Sequence, residues 1–117
     1  MTRGELYLIW KPGSRNPRKQ RVFVVVSRKA LIESRFSTLI CAPVYSQHDG
    51  LSTQVLVGPD DGLKQECSIH CNELVSLPKF LLTHFVGSLR GARLQDLERP
   101  LALAVGLDCT ALNQDQF

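Results

Sequence analysis

Arg21-Val22-Phe23-Val24-Val25-Val26-Ser27 is the stretch whose reading decides the fold. It is an unbroken β-branched and aromatic run, which predicts a strand buried on both faces. Upstream, Glu5-Leu6-Tyr7-Leu8-Ile9-Trp10 is short, apolar and aromatic, and predicts a first strand. Between the two, residues 11–20 contain Pro12, Gly13, Ser14 and Pro17, so they read as a loop. Downstream, residues 28–37 mix charge with Ala30, Leu31 and Ile32 and predict a connection with a helical turn. Residues 37–45 predict a third strand, and Pro43 within it implies a sheet edge or a bulge, because proline has no N–H to donate.

The remaining chain continues in short pieces. Gln47-His48-Asp49-Gly50 and Gly58-Pro59-Asp60-Asp61-Gly62 are turns around a strand at 52–57. A fifth strand is predicted over 68–75, a helical turn over 77–82, and a short last strand over 83–87. Then the period changes. Leu94, Leu97, Leu101, Ala104 and Val105 follow helical spacing, with Arg93, Asp96 and Arg99 on the other side. Pro100 interrupts that pattern and must kink or split the helix. Short strands, tight turns and one C-terminal helix predict a mainly β (α+β) fold, a small curled sheet or partly open barrel.

At 117 residues the chain fits one domain, taken as 1–107, with a polar tail over 108–117. A hydrophobic content of 44% and a charged content of 21% exclude a disordered chain. No run is long and apolar enough for a membrane span, and the opening Met-Thr-Arg-Gly-Glu-Leu-Tyr has no signal-peptide character. A cytoplasmic protein is therefore expected. Of the four cysteines, Cys67 and Cys71 flank His70 in a pattern that suggests a metal site. However, His70 and Cys71 are adjacent on a predicted strand and point apart, and no second Cys/His pair has zinc-like spacing. The expected answer is buried thiols, no metal and no cofactor.

Charge is distributed unevenly. The first thirty-five residues hold nine Lys/Arg against Glu5 and Glu33, a net +7, and the rest is −4, giving the overall +3. Lys11, Arg15, Arg18, Lys19 and Arg21 crowd one short stretch, which suits a polyanion such as RNA. Arg21 stands where the loop meets the strand, so its guanidinium is rigidly mounted and offers fork-shaped donors to a phosphate. If the second and third strands are antiparallel neighbours, Tyr45, Ser46, Gln47 and His48 come close to Arg21. Histidine is the residue of that group suited to carrying a proton near neutral pH. No phosphate-binding glycine loop, acidic metal cluster or nucleophile elbow is present. RNA cleavage needs none of these, because the substrate supplies the 2′-hydroxyl nucleophile.

The ordered features resemble a known family over residues 3–107. Arg3-Gly4-Glu5-Leu6-Tyr7-Leu8 is similar to the opening strand of the MazF/PemK (Kid) toxins of bacterial toxin–antitoxin systems. The strand from Arg21 to Ser27 resembles that family's Arg-Pro-Val-Leu-Val-Val-Ser. Residues 39–46 resemble its strand ending Pro-Ile-Thr-Ser, and Val86-Gly87-Ser88-Leu89 with the helix to Leu107 resembles its closing segment. The resemblance implies an SH3-like barrel, a homodimer, and a metal-independent endoribonuclease that cuts single-stranded RNA at short sequences. It implies 2′,3′-cyclic phosphate and 5′-hydroxyl ends, and an acidic antitoxin that competes with RNA for one positive surface. The family's catalytic arginine falls on Arg21. Its Thr/Ser falls on Tyr45, with Ser46 adjacent, and the glutamate that many members carry before the arginine is missing. His48 is a candidate substitute proton carrier. Lys11, Arg15, Arg18, Lys19 and Gln47 are the candidate RNA contacts. Two rivals remain: a non-catalytic member of the same fold, either a CcdB-like gyrase poison or an RNA binder, and a plain SH3-like interaction module.

Overall fold

The second strand sends alternate side chains into two separate cores. In the computed structural model, which describes residues 1–10 and 20–107, β2 is Gln20–Val25. Val24 joins one core with Leu6, Val26, Ala42, Val44, Val55, Val57, Ile69, Cys71, Leu89 and Leu97. Val25 joins the other with Tyr7, Ile9, Leu39, Cys41 and Leu82. Burial on both faces, expected from the unbroken apolar run, is complete at Val24 and Val25 and partial at the Arg21 end of the strand.

The other strands are β1 (Glu5–Trp10), β3 (Thr38–Tyr45), β4 (Gln54–Val57), β5 (Cys67–His70), β6 (Val75–Pro78) and β7 (His84–Ser88). They form one curled antiparallel sheet in the order β4-β5-β3-β2-β1-β7, with β6 paired to β3. Helix α1 (Lys29–Ile32) and a 3-10 turn at Lys79–Leu81 cover the second core with Leu31, Ile32 and Leu81. Two further helices, α2 (Ala92–Gln95) and α3 (Glu98–Ala104), cover the first core with Leu94, Leu101 and Ala104. The turn Pro59–Asp61 that follows β4 presses against β7, bringing the two ends of the sheet path together into a half-barrel.

Several expectations are modified. Residues 68–75 are not one strand. Cys71–Glu73 forms a 3-10 turn, and the chain then re-pairs with a different part of β3 as β6. The cause is Cys71, fully buried in the first core, which draws the chain out of the sheet. Pro43 is not on an edge strand. It pairs with Phe23 of β2, and on its other side lies the gap between β6, whose pairing ends at Cys41, and β5, whose pairing begins at Val44. Pro100 accompanies a split and not a kink. The break falls at Asp96 and Leu97, where Leu97 is fully buried, and Pro100 enters the first turn of α3, where a helix does not use its N–H groups. The basic stretch 11–19 and the tail 108–117 lie outside the described residues.

Candidate functional site

The antiparallel register fixes the centre of the site. Val22 of β2 faces Val44 of β3, so the next residues outward, Arg21 and Tyr45, meet at one end of the sheet. The Arg21 Cζ lies 4.0 Å from the centre of the Tyr45 ring, a cation–π contact. Arg21 is half-buried, and among the described residues no carboxylate lies within ion-pair distance of it. Among the described residues, then, no fixed acid consumes its N–H groups. The proximity of the β2 start to the polar tip of β3, expected from sequence, is present.

Beside this pair lies an open polar cleft of about 550 Å³. Tyr45, Ser46, Gln47, His70, Asn72 and Glu73 are among its lining residues. The Tyr45 hydroxyl donates to Glu73 Oε1 at 2.8 Å. The other oxygen of Glu73 is 3.5 Å from His70 Nδ1. His70 Nε2 donates to the Gln47 carbonyl at 3.0 Å, and the imidazole packs edge-on to the Tyr45 ring at 4.5 Å. Burial, then the hydrogen bond to Glu73 and its charge, raise the Tyr45 phenol above its ordinary pKa, against an opposing pull from Arg21. That hydroxyl therefore stays a donor near neutral pH.

On the loop after β3, Gln47 Nε2 donates to Asp49 Oδ1 at 2.7 Å, and Gln54 Nε2 reaches Asp49 Oδ2 at 3.3 Å. Those amides, Gln47 first, hold the Asp49 carboxyl below the usual carboxylate range. Ser46 is exposed, and its side chain makes no hydrogen bond to a described residue. His48 does not join the cleft lining. Its Nδ1 is hydrogen-bonded to the Oγ of the fully buried Ser68 at 2.9 Å. Lys11, Arg15, Arg18 and Lys19 fall outside the described residues.

Tyr45, Ser46 and Gln47 thus share the cleft, and Arg21 joins them through the Tyr45 ring without lining the cleft itself, whereas His48 is turned to Ser68. Sequence reasoning did not assign His70 and Glu73 to the site. Their local signal is an acid three residues after a histidine, and it becomes meaningful only because a 3-10 turn puts both side chains on one side. His70 and Cys71 do diverge, one into the cleft and one into the core, and among the described residues no cluster of three or more His, Cys, Asp or Glu is arranged to hold a metal. A second cleft, of about 650 Å³, lies between the 59–62 turn, β7 and α2. Its buried carboxylate, Asp61, is already engaged by the Gly58 N–H at 2.9 Å and by Arg93 at 3.4 Å. The 550 Å³ cleft beside Arg21 is therefore the stronger candidate.

The comparisons agree with the architecture. Toxin MazF-mt6 of Mycobacterium tuberculosis superposes with a TM-score of 0.75 at 21% identity, over 89% of this chain and 98% of its own. An endoribonuclease in complex with its cognate antitoxin, from a mycobacterial species, gives 0.78 at 20% identity, over 92% and 97%. A MazE–MazF structure from Deinococcus radiodurans gives 0.72 at 16% identity, over 92% and 97%. No curated protein matches significantly in sequence. The family described as "PemK-like, MazF-like toxin of type II toxin-antitoxin system" matches residues 2–105. With a match over nearly its whole length, the chain belongs to the PemK-like, MazF-like toxin family of type II toxin–antitoxin systems.

Proposed function

We propose that this protein is a toxin that cleaves single-stranded RNA without a metal, and that Arg21 grips the scissile phosphate. The observation that carries this reading is the Arg21 guanidinium, mounted at a strand start, 4.0 Å over Tyr45 at the edge of a polar cleft and unpaired with any described acid. Family membership and a structural neighbour named as an endoribonuclease support it.

In this reading the 2′-hydroxyl attacks the adjacent phosphorus while the P–O5′ bond breaks. The 2′-hydroxyl loses its proton, the departing 5′-oxygen gains one, and the products carry a 2′,3′-cyclic phosphate and a 5′-hydroxyl. Negative charge gathers on the non-bridging oxygens, where a fixed cation contributes most. Ser46 presents its hydroxyl at the tip of β3 as a further donor to phosphate. Gln47 and the cations Lys11, Arg15, Arg18 and Lys19 extend the contact along the RNA. The same positive surface suits an acidic antitoxin, and a homodimer in the cytoplasm completes the reading. Among the described residues no helix is long and apolar enough to cross a membrane. One observation favours a rival, RNA binding without cleavage: the phenol at the family's Thr/Ser position is already committed to Glu73.

The test is incubation of purified protein with a mixed single-stranded RNA pool in EDTA, followed by mapping of cut ends and end-group chemistry. Cleavage with cyclic phosphate ends is expected. Arg21→Ala should lower the rate by about a hundredfold or more with an unchanged melting temperature. An uncut pool, with tight RNA binding, selects the rival.

A further inference from the structure

We propose that Tyr45 serves the site through its ring and not its hydroxyl: it is the platform that fixes the Arg21 guanidinium, and Glu73 and His70 are positioning residues that hold the platform still. The consequence for cleavage rests on the nuclease reading above. The geometry of the platform does not.

The ring is restrained at three places. Its hydroxyl is tied to Glu73 Oε1 at 2.8 Å. It meets the His70 imidazole in a T-shaped contact, the ring centres 4.5 Å apart with an interplanar angle of 61°. Its backbone is held in β3 between β2 and β5. Glu73 reaches both partners with different oxygens, and His70 is itself anchored on the Gln47 carbonyl. A face of the ring carries Arg21 at 4.0 Å.

This arrangement solves a problem specific to a long side chain. A free arginine has about 2 kcal/mol of rotamer entropy to lose when it grips a ligand. A guanidinium already resting on an aromatic face has surrendered much of that freedom, and among the described residues no carboxylate ties up its N–H groups. A small hydroxyl residue at position 45 has no such face to offer. Tyrosine there exchanges a reactive hydroxyl for a surface that aims the cation, and effects of aim on rate are large.

The experiment compares Tyr45→Phe, Tyr45→Thr, Tyr45→Ala and Glu73→Ala in two measurements, after melting curves confirm folding. The first is NMR of the Arg21 side chain. Wild type and Tyr45→Phe should show upfield ring-current shifts on its Cδ protons, lost in Tyr45→Ala and Tyr45→Thr. The second is single-turnover cleavage of an RNA oligonucleotide. Tyr45→Ala and Tyr45→Thr should each slow cleavage by about tenfold or more, the size of a desolvated cation–π contact. Glu73→Ala should slow it less, and Tyr45→Phe should recover most of the rate lost in Tyr45→Ala. Combined with Arg21→Ala, Tyr45→Ala should have little further effect, because the ring acts through that arginine. Absence of the ring-current shift in wild type overturns the platform whatever the activity. Full activity in Tyr45→Thr with loss in Tyr45→Phe overturns it in favour of hydroxyl catalysis. A wild type that shows the shift but cuts no RNA overturns the nuclease reading and supports the platform.

Discussion

Replacing Gly87 with alanine should strike the seam that closes the half-barrel. A Cβ at Gly87 would lie 2.1 Å from the Asp61 carbonyl oxygen, 2.9 Å from Gly62 Cα and 3.0 Å from Asp61 carbonyl carbon. Every one of these atoms is backbone, so no side chain can swing aside. Ordinary non-bonded contact is roughly 3.5 Å, so the 59–62 turn would have to retreat by about 1 Å or more. That turn is fixed by the buried Asp61, which accepts the Gly58 N–H at 2.9 Å and pairs with Arg93. Gly62, at φ 101°, has a conformation that other residues rarely adopt. Overpacking against such a turn costs about 3 kcal/mol. With an unfolding entropy of about 250 cal/mol/K for 117 residues, that is a fall of about 12 °C in Tm. Gly50→Ala is the control. Gly50 has φ 74° but no neighbour within 4 Å, so only the left-handed backbone is penalised, about 1 kcal/mol or ~4 °C. Circular dichroism melts of the three proteins decide it. If Gly87→Ala melts no lower than Gly50→Ala, the seam between β7 and the 59–62 turn is not as tight as described.

Two further outcomes are expected. The chain's two tyrosines should resist ionisation: burial and the hydrogen bond to Glu5 push Tyr7 up to about 12, and Tyr45 is raised as well. The unfolded chain loses its phenolic protons near pH ~10, so the folded state binds more protons above that value and stability falls as pH rises from about 10 to about 12. Absorbance at 295 nm should show little phenolate at pH 10, and both tyrosines ionising near 10 in a still-folded protein would refute the assigned burial. His48→Ala should leave the cleavage rate within about twofold if the ring stays on Ser68 outside the cleft, and a drop of about a hundredfold, the reach of a general acid–base group, would place it in the mechanism.

The amino-acid sequence by itself determined the first three strands, with starts within a residue of those observed. Residues 5–10 are a strand with the expected bounds, and the run from Arg21 could not be anything but a buried strand, because β-branched side chains on a pleated surface are a local property. Arg21 and the end of β3 followed from it, since an antiparallel pair joins the start of one strand to the end of the next. The tertiary structure decided the rest of the site. Tyr45 and Glu73 are 28 residues apart and share no periodicity, and their contact exists because Cys71 sinks into the core and turns the chain, lifting His70 and Glu73 to the cleft. Pro43 likewise implied a sheet edge or a bulge, and only the fold shows β3 changing partners beside it. Local propensity is written in neighbouring residues, whereas the choice of a partner strand depends on how the whole sheet curls to cover its two cores.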